Sequence, residues 1–156
     1  AELYKATWIH VVTIGRQICP NAKWIWAPNK ADDYATPFYP GDEYVDYVGL
    51  TLNHASIERF TYKYFEDYYT YEGTKENVEK YNKQIIVCEI SYSCNDPALK
   101  QSYLESIFTY YKTDPRLVAV VFFTENKSST RQYAFIDNEE CREIFVNGIR
   151  ELRNER

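Results

Sequence analysis

The sequence predicts an α/β fold built on a parallel sheet, and three observations carry that expectation. Helix-spaced and strand-like segments alternate along the chain. The last strand-like run, "RLVAVVFFT" (116–124), is apolar at consecutive positions, as strands covered on both faces are. No repeat, linker or low-complexity stretch interrupts the order. At 156 residues the chain has the length of one domain, and 45% hydrophobic with 26% charged residues is the composition of a globular protein able to bury a core.

Residues 3–18 place Leu3, Trp8, Val11, Val12 and Ile18 at helical spacing, and Pro20 cannot continue that helix. A short strand, "AKWIWA" (22–27), is closed by Pro28. A loop of polar, aromatic and proline residues (28–43) follows, with "PGD" as its turn signal. "YVDYVGL" (44–50) alternates into a second strand. Residues 57–71 read as an aromatic-rich helix ended near Gly73, and "TKENVEKY" as a short amphipathic segment. The third strand is "KQIIVCEIS" (83–91). A helix over 96–113 has Asp96 as N-cap, Pro97 at its first position and an apolar face of Leu99, Tyr103, Leu104, Ile107 and Phe108. A last helix covers 138–153, capped by Asn138.

Composition excludes several functions. A formal net charge of −5 with mixed signs provides no basic stripe for a phosphate backbone, so nucleic acid is not an expected partner. No apolar run approaches the roughly 18 to 20 residues that cross a bilayer, and the first residues lack a basic leader region. Cys19, Cys88, Cys94 and Cys141 have no CxxC spacing and only His10 and His54 accompany them, so neither a metal site nor a cofactor is expected. Cys88 and Cys94, six apart around Glu89, are the cysteines close enough in sequence to approach one another. A Gly-rich phosphate loop is lacking, which removes the usual nucleotide ligand of a doubly wound fold. The chain starts at Ala1 and contains no Met, which predicts a processed product or a piece of a longer protein. Sixteen tyrosines suit surfaces that stack on flat partners such as sugar rings.

The run 83–91 breaks its apolar course at Glu89. A carboxylate at a strand end is ordinarily solvated or ion-paired, and in an α/β barrel it also stands where the chemistry is done. "KWIWAPN", "YPGDEYVDYVGL", "KQIIVCEIS" and "LVAVVFFTEN", in this order and at these separations, resemble the second half of glycoside hydrolase family 26, the β-mannanase-like barrels. The likeness spans nearly all of the chain, and its most specific part is "YPGDEYVDYVG" together with a strand ending in Glu.

The resemblance implies a (β/α)8 TIM barrel, of which residues 1–156 form the C-terminal half: strands five to eight with their helices. It implies a retaining glycoside hydrolase acting on β-linked polysaccharide such as β-1,4-mannan, at an extracellular or cell-surface location. The nucleophile falls on Glu89, while the acid/base belongs to the fourth strand, in the missing N-terminal half. Glu125 offers a substitute acid, although a solvated loop is the plainer reading of that residue. Period-2 alternation puts Val87 and Ile85 on the inward face beneath Glu89 and turns Ile86 and Cys88 to the helices. In "VGLTLNH", just after the sixth strand, Asn53 stands where the family has a Tyr that hydrogen-bonds the nucleophile, and Thr51 where it has an Asp. Phe122 and Phe123 occupy the region of a Trp sugar platform. Trp24 and Trp26 share one strand face as core or cleft residues, Trp26 being nearer the mouth. His54 is a further candidate for substrate contact, and Asn29 for loop support. Asp42 and Asp46 read as structural. Thr51 and Asn53 also suit an alternative, a non-catalytic carbohydrate-binding or polysaccharide-assembly protein on a degenerate barrel.

Overall fold

The computed structural model describes residues 1–55, 64–70, 74–128 and 133–154. Helix α1 (Glu2–Ile18) leads to strand β1 (Ile25–Trp26), and two 3-10 turns (Thr36–Phe38 and Asp42–Tyr44) precede β2 (Tyr47–Ala55). Helices α2 (Phe65–Thr70) and α3 (Thr74–Glu79), strand β3 (Gln84–Ser93), helix α4 (Pro97–Thr113), strand β4 (Leu117–Phe122) and helix α5 (Glu139–Asn154) complete the order. All strand pairs are parallel, in the order β1-β2-β3-β4. The parallel α/β architecture is therefore as the sequence predicts.

Helix ends follow local chemistry. The Asp96 carboxylate accepts from Ala98 N at 2.9 Å and Leu99 N at 3.4 Å, and Asn138 Oδ1 accepts from Cys141 N at 2.8 Å, which satisfies otherwise orphaned first-turn donors. Strand lengths depart from expectation. β2 runs on through Ala55 and β3 through Ser93, because Thr51–Ala55 pair residue by residue with Glu89–Ser93 and each strand supplies the other's backbone partners. Thr51, Asn53 and Glu89 thus lie within a ladder, not beyond a strand end. The expected helix over 57–71 is described only as Phe65–Thr70; Tyr64 is a bend before it, and 57–63 and 71 lie outside the described residues.

Residues paired across parallel strands share a face. One face carries Trp26, Val48, Leu50, Leu52, Ile85, Val87, Ile90 and Leu117, all buried in one cluster with Phe65, Tyr69, Tyr103 and Ile107 of the helices. The other face carries Ile25, Tyr47, Gly49, Ile86 and Ala119, then Thr51 and Glu89, then Asn53 and Ser91, and most of these side chains are only partly buried. The opening helix also divides. Val12 is buried and Trp8 donates to Tyr44 O at 3.0 Å, whereas Leu3 (82% exposed), Val11, Ile14 and Ile18 (73%) form an apolar stripe on the outside.

Gly49 has a steric reason to lack a side chain: a Cβ there would lie 2.6 Å from Ala27 Cβ, 2.7 Å from Cys88 Sγ and 2.9 Å from Ile25 Cγ2. Two of these three are backbone-fixed or nearly so, leaving little room to yield. Gly49→Ala is expected to destabilise the protein by about 1–3 kcal/mol, read as a lower denaturant midpoint with unchanged slope.

Candidate active site

Glu89 reaches its face of the sheet through a β-bulge. Leu50 pairs with Val87 and Thr51 with Glu89, so one residue of β2 is matched by two of β3. The opposite neighbour registers the same extra residue, since Val87 pairs with Val120 and Ile90 with Phe122. The Cys88 thiol lies against Gly49, on the face of Ile86, and Glu89 follows on that same side through its pairing with Thr51. A bulge sends two successive side chains to one side and re-aims the second.

This corrects the alternation expected from sequence. Ile85 and Val87 face the helices, and Ile86 and Cys88 share the face of Glu89, because the inserted residue inverts the period-2 parity at Cys88. Burial pushes the Cys88 thiol up from its ordinary pKa, against a smaller lowering by a hydrogen bond with the Leu50 backbone.

The half-buried Glu89 is held by Asn53, whose Nδ2 donates to Glu89 Oε1. Ser91 Oγ donates in turn to Asn53 Oδ1 at 2.6 Å. Asn53 lies two residues beyond Thr51 on β2, and Ser91 two beyond Glu89 on β3, which sets both on the carboxylate's face. The hydrogen bond expected of a tyrosine hydroxyl is supplied here by a carboxamide. Thr51 sits beside Glu89, and its N–H donates to Asn29 O at 3.3 Å, tying the loop after β1 to the site. Among the described residues at register positions on this face, Glu89 is the sole carboxylate. The arrangement can present a nucleophilic oxygen; the proton donor must come from elsewhere.

Two of the candidates turn the other way. Trp26 is 1% exposed, packed edge-to-face on Tyr39 (5.0 Å) and Tyr81 (5.3 Å). Its partner Val48 fixes it to the helix side, so it belongs to the core there. Phe122 packs with Phe108, Phe135 and Phe145 at 5.1 to 6.3 Å, and its pairing with Ile90 sets it on the same side, away from Glu89. Phe123, one residue on, is half-buried; its N–H donates to Ile90 O at 2.9 Å, its ring meets Tyr133 edge-on at 5.7 Å, and Lys127 Nζ stands 4.6 Å over it. Phe123 thus lies just past the end of β4, tied by its N–H to Ile90 of β3. The side chain of His54 lies outside the described residues.

Asp46 accepts from Trp24 N at 2.8 Å and lies 3.8 Å from Arg16 and 4.0 Å from Lys23, while Asp42 accepts from the Tyr39 hydroxyl at 2.6 Å; both carboxylates are occupied in holding the loop. Glu125 is exposed. All four cysteines are free thiols; Cys88 and Cys94 are separated by strand that advances about 20 Å over six residues, so they do not approach. Among the described residues no group of three or more His, Cys, Asp and Glu is placed to hold a metal ion. Ser91 joins this cluster without a motif of its own in the sequence; its spacing of two from Glu89 is the signal that places it there. A cleft of about 440 Å3 beside β1, lined by Tyr4, Asn29, Lys30, Tyr34 and Phe38 and an edge of Trp26, carried no comparable signal in its loop sequence.

The model of glycosyl hydrolase family 26 matches residues 1–113. A mannan endo-1,4-beta-mannosidase of Bacillus subtilis (strain 168) is 29% identical over 141 residues, covering 85% of this chain and 34% of its own length. Among solved structures, a family 26 β-mannanase from Bacteroides ovatus superposes with a TM-score of 0.61 at 20% identity, covering 96% of this chain and 43% of that one. An oligosaccharide-binding protein of family 128 from Cryptococcus neoformans gives 0.64 at 16% identity, covering 97% and 62%. The chain therefore spans about a third of the curated relative, and its four strands and helices match part of a (β/α)8 barrel.

The two phenylalanines are expected to separate experimentally. Phe122→Ala should cost about 3–5 kcal/mol of stability through loss of its ring cluster, and Phe123→Ala no more than about 1 kcal/mol, both read from equilibrium denaturation.

Proposed function

Because the chain belongs to glycosyl hydrolase family 26, we propose that it carries the nucleophile of a retaining glycosidase that cleaves β-linked polysaccharide, β-1,4-mannan being the leading substrate, with Glu89 as that nucleophile. The observation that carries the reading is the bulge at Cys88, which turns Glu89 onto the inward face where Asn53 donates to it. One carboxylate oxygen is held by the amide, and the other attacks the anomeric carbon. A carboxyl group about 5–5.5 Å away protonates the departing glycosidic oxygen, and water then releases the sugar from the ester formed on Glu89. That acid/base comes from the upstream half of the barrel, and Phe123 supplies stacking surface to a sugar ring. The proposed action is extracellular or at the cell surface, where intact polysaccharide is met. Among the described residues no helix is long and apolar enough to cross a membrane.

A second reading, a carbohydrate-binding protein without hydrolysis, is favoured by Asn53 itself: an amide has no ionisable proton to offer in place of the phenol. The likeness to the family 128 oligosaccharide-binding protein is compatible with it. Glu89→Gln separates the two. In the full-length protein the substitution is expected to lower mannan hydrolysis by about 10³-fold or more, with mannopentaose binding kept within a few-fold by calorimetry. Activity near that of the unsubstituted protein in Glu89→Gln would sink the nucleophile assignment, and absence of hydrolysis in both with binding retained would favour the second reading.

The upstream half also has surfaces to cover. Leu3, Val11, Ile14 and Ile18 on α1 are exposed, as are Val121 on the edge strand β4 and Val146 and Ile149 on α5. A closed barrel leaves no strand edge unpaired, whereas this sheet ends in two. The 156 residues alone are expected to self-associate in sedimentation velocity and to leave mannan uncut, and the chain joined to its first four strands to run as a monomer that cuts it. A monodisperse 156-residue monomer with mannanase activity would refute the half-barrel assignment.

A further inference from the structure

Ser91 takes no part in the chemistry just described, yet at 5% exposure it is among the few buried polar side chains of the described residues. Its hydroxyl is 2.6 Å from Asn53 Oδ1, at the far end of the amide whose Nδ2 meets Glu89. The ladder explains the alignment: Thr51 pairs with Glu89 and Asn53 with Ser91, so the amide lies between the carboxylate and the hydroxyl along one face.

A carboxamide is nearly symmetric in shape and opposite in hydrogen-bond character at its two ends, and an ionised carboxylate only accepts. Turned round, Asn53 would set its oxygen against Glu89 and lose that bond. The hydroxyl's donation to Oδ1 and the carboxylate's acceptance from Nδ2 are satisfied together in one orientation alone, and the buried Ser91 hydroxyl is fixed in place while the Asn53 side chain it meets is exposed.

We propose that Ser91 is a positioning residue which, acting through Asn53, holds an N–H donor against the Glu89 nucleophile. The inference rests on the hydrolase reading for its effect on rate, but not for its effect on the amide. Without the hydroxyl Oδ1 loses the donor that selects this orientation of the amide, and Glu89 loses the fixed direction that an in-line attack requires.

The test uses a pair of variants equal in shape, Ser91→Thr and Ser91→Val, in the full-length protein. With mannopentaose as substrate, Ser91→Val is expected to lower kcat about tenfold with KM within twofold, and Ser91→Thr to stay within threefold of the unsubstituted protein. Equal losses in both variants, or none in Ser91→Val, would overturn the proposal. A second measurement does not depend on hydrolysis. In protein labelled with 15N-asparagine, one side-chain amide proton of Asn53 is expected downfield, moving in Glu89→Gln and returning towards the solvent-exposed position in Ser91→Val but not in Ser91→Thr. Unchanged Asn53 signals in Ser91→Val overturn the inference even if the protein proves to bind sugar without cutting it. A changed amide signal in a protein that hydrolyses nothing would support it while the nucleophile reading fails.

Discussion

One extra residue in β3 is the constraint from which the site follows. A regular strand gives alternate side chains to opposite faces, so a strand that buries Ile85, Val87 and Ile90 against helices has to change parity between 87 and 90. Cys88 makes that change. Before it the odd-numbered positions lie under the helices, and after it Glu89 and Ser91, also odd, lie on the other face. β2 keeps its own parity and accepts the shift, β4 has a second irregularity where Ile85 pairs with Leu117 and Ile86 with Ala119, and Ile85, Val87 and Ile90 all stay buried under the helices. The carboxylate is thereby presented on an open face without a hole in the core behind it.

How much of this was legible in the sequence depends on how local the cause is. Asp96 and Asn138 cap helices through atoms two to three residues away, and both were readable. Glu89 stands out as a candidate by family likeness and strand position. Its direction was not readable, because the bulge is defined only when β3 lies between β2 and β4. The ends of β2 and β3 were underestimated for a related reason: Thr51, Asn53, Ser91 and Ser93 are polar and suggest a loop, yet each strand provides the hydrogen bonds that keep the other extended. Trp26 and Phe122 were aromatic residues in the right region on the wrong face, and Phe123 differs from Phe122 by a single step of alternation.

The opening helix shows the same limit on a larger scale. Its apolar residues satisfy helical spacing, but they make two stripes: Val12 and Trp8 pack inward, while Leu3, Val11, Ile14 and Ile18 do not. A periodicity counted along the sequence does not say which of two apolar faces packs against the rest of the fold. Matching folds among proteins of different activity, here a β-mannanase and an oligosaccharide-binding protein, likewise leave the chemistry to individual side chains such as Asn53.

The contact between Gly49 and Cys88 bears on how such a site can drift over evolutionary time. The sulfur fills the space that a Cβ at position 49 would claim, and Ile25 and Ala27 enclose it from the neighbouring strand. Positions 49 and 88 are therefore not independent characters. Shrinking 88 alone does not admit a larger residue at 49, because Ala27 Cβ and Ile25 Cγ2 crowd the same point, and a bulkier 88 is admissible only while 49 stays bare. Because 88 is also the residue that reverses the strand, the two positions are epistatic beside the carboxylate, and a change at either is felt in the packing between β1, β2 and β3.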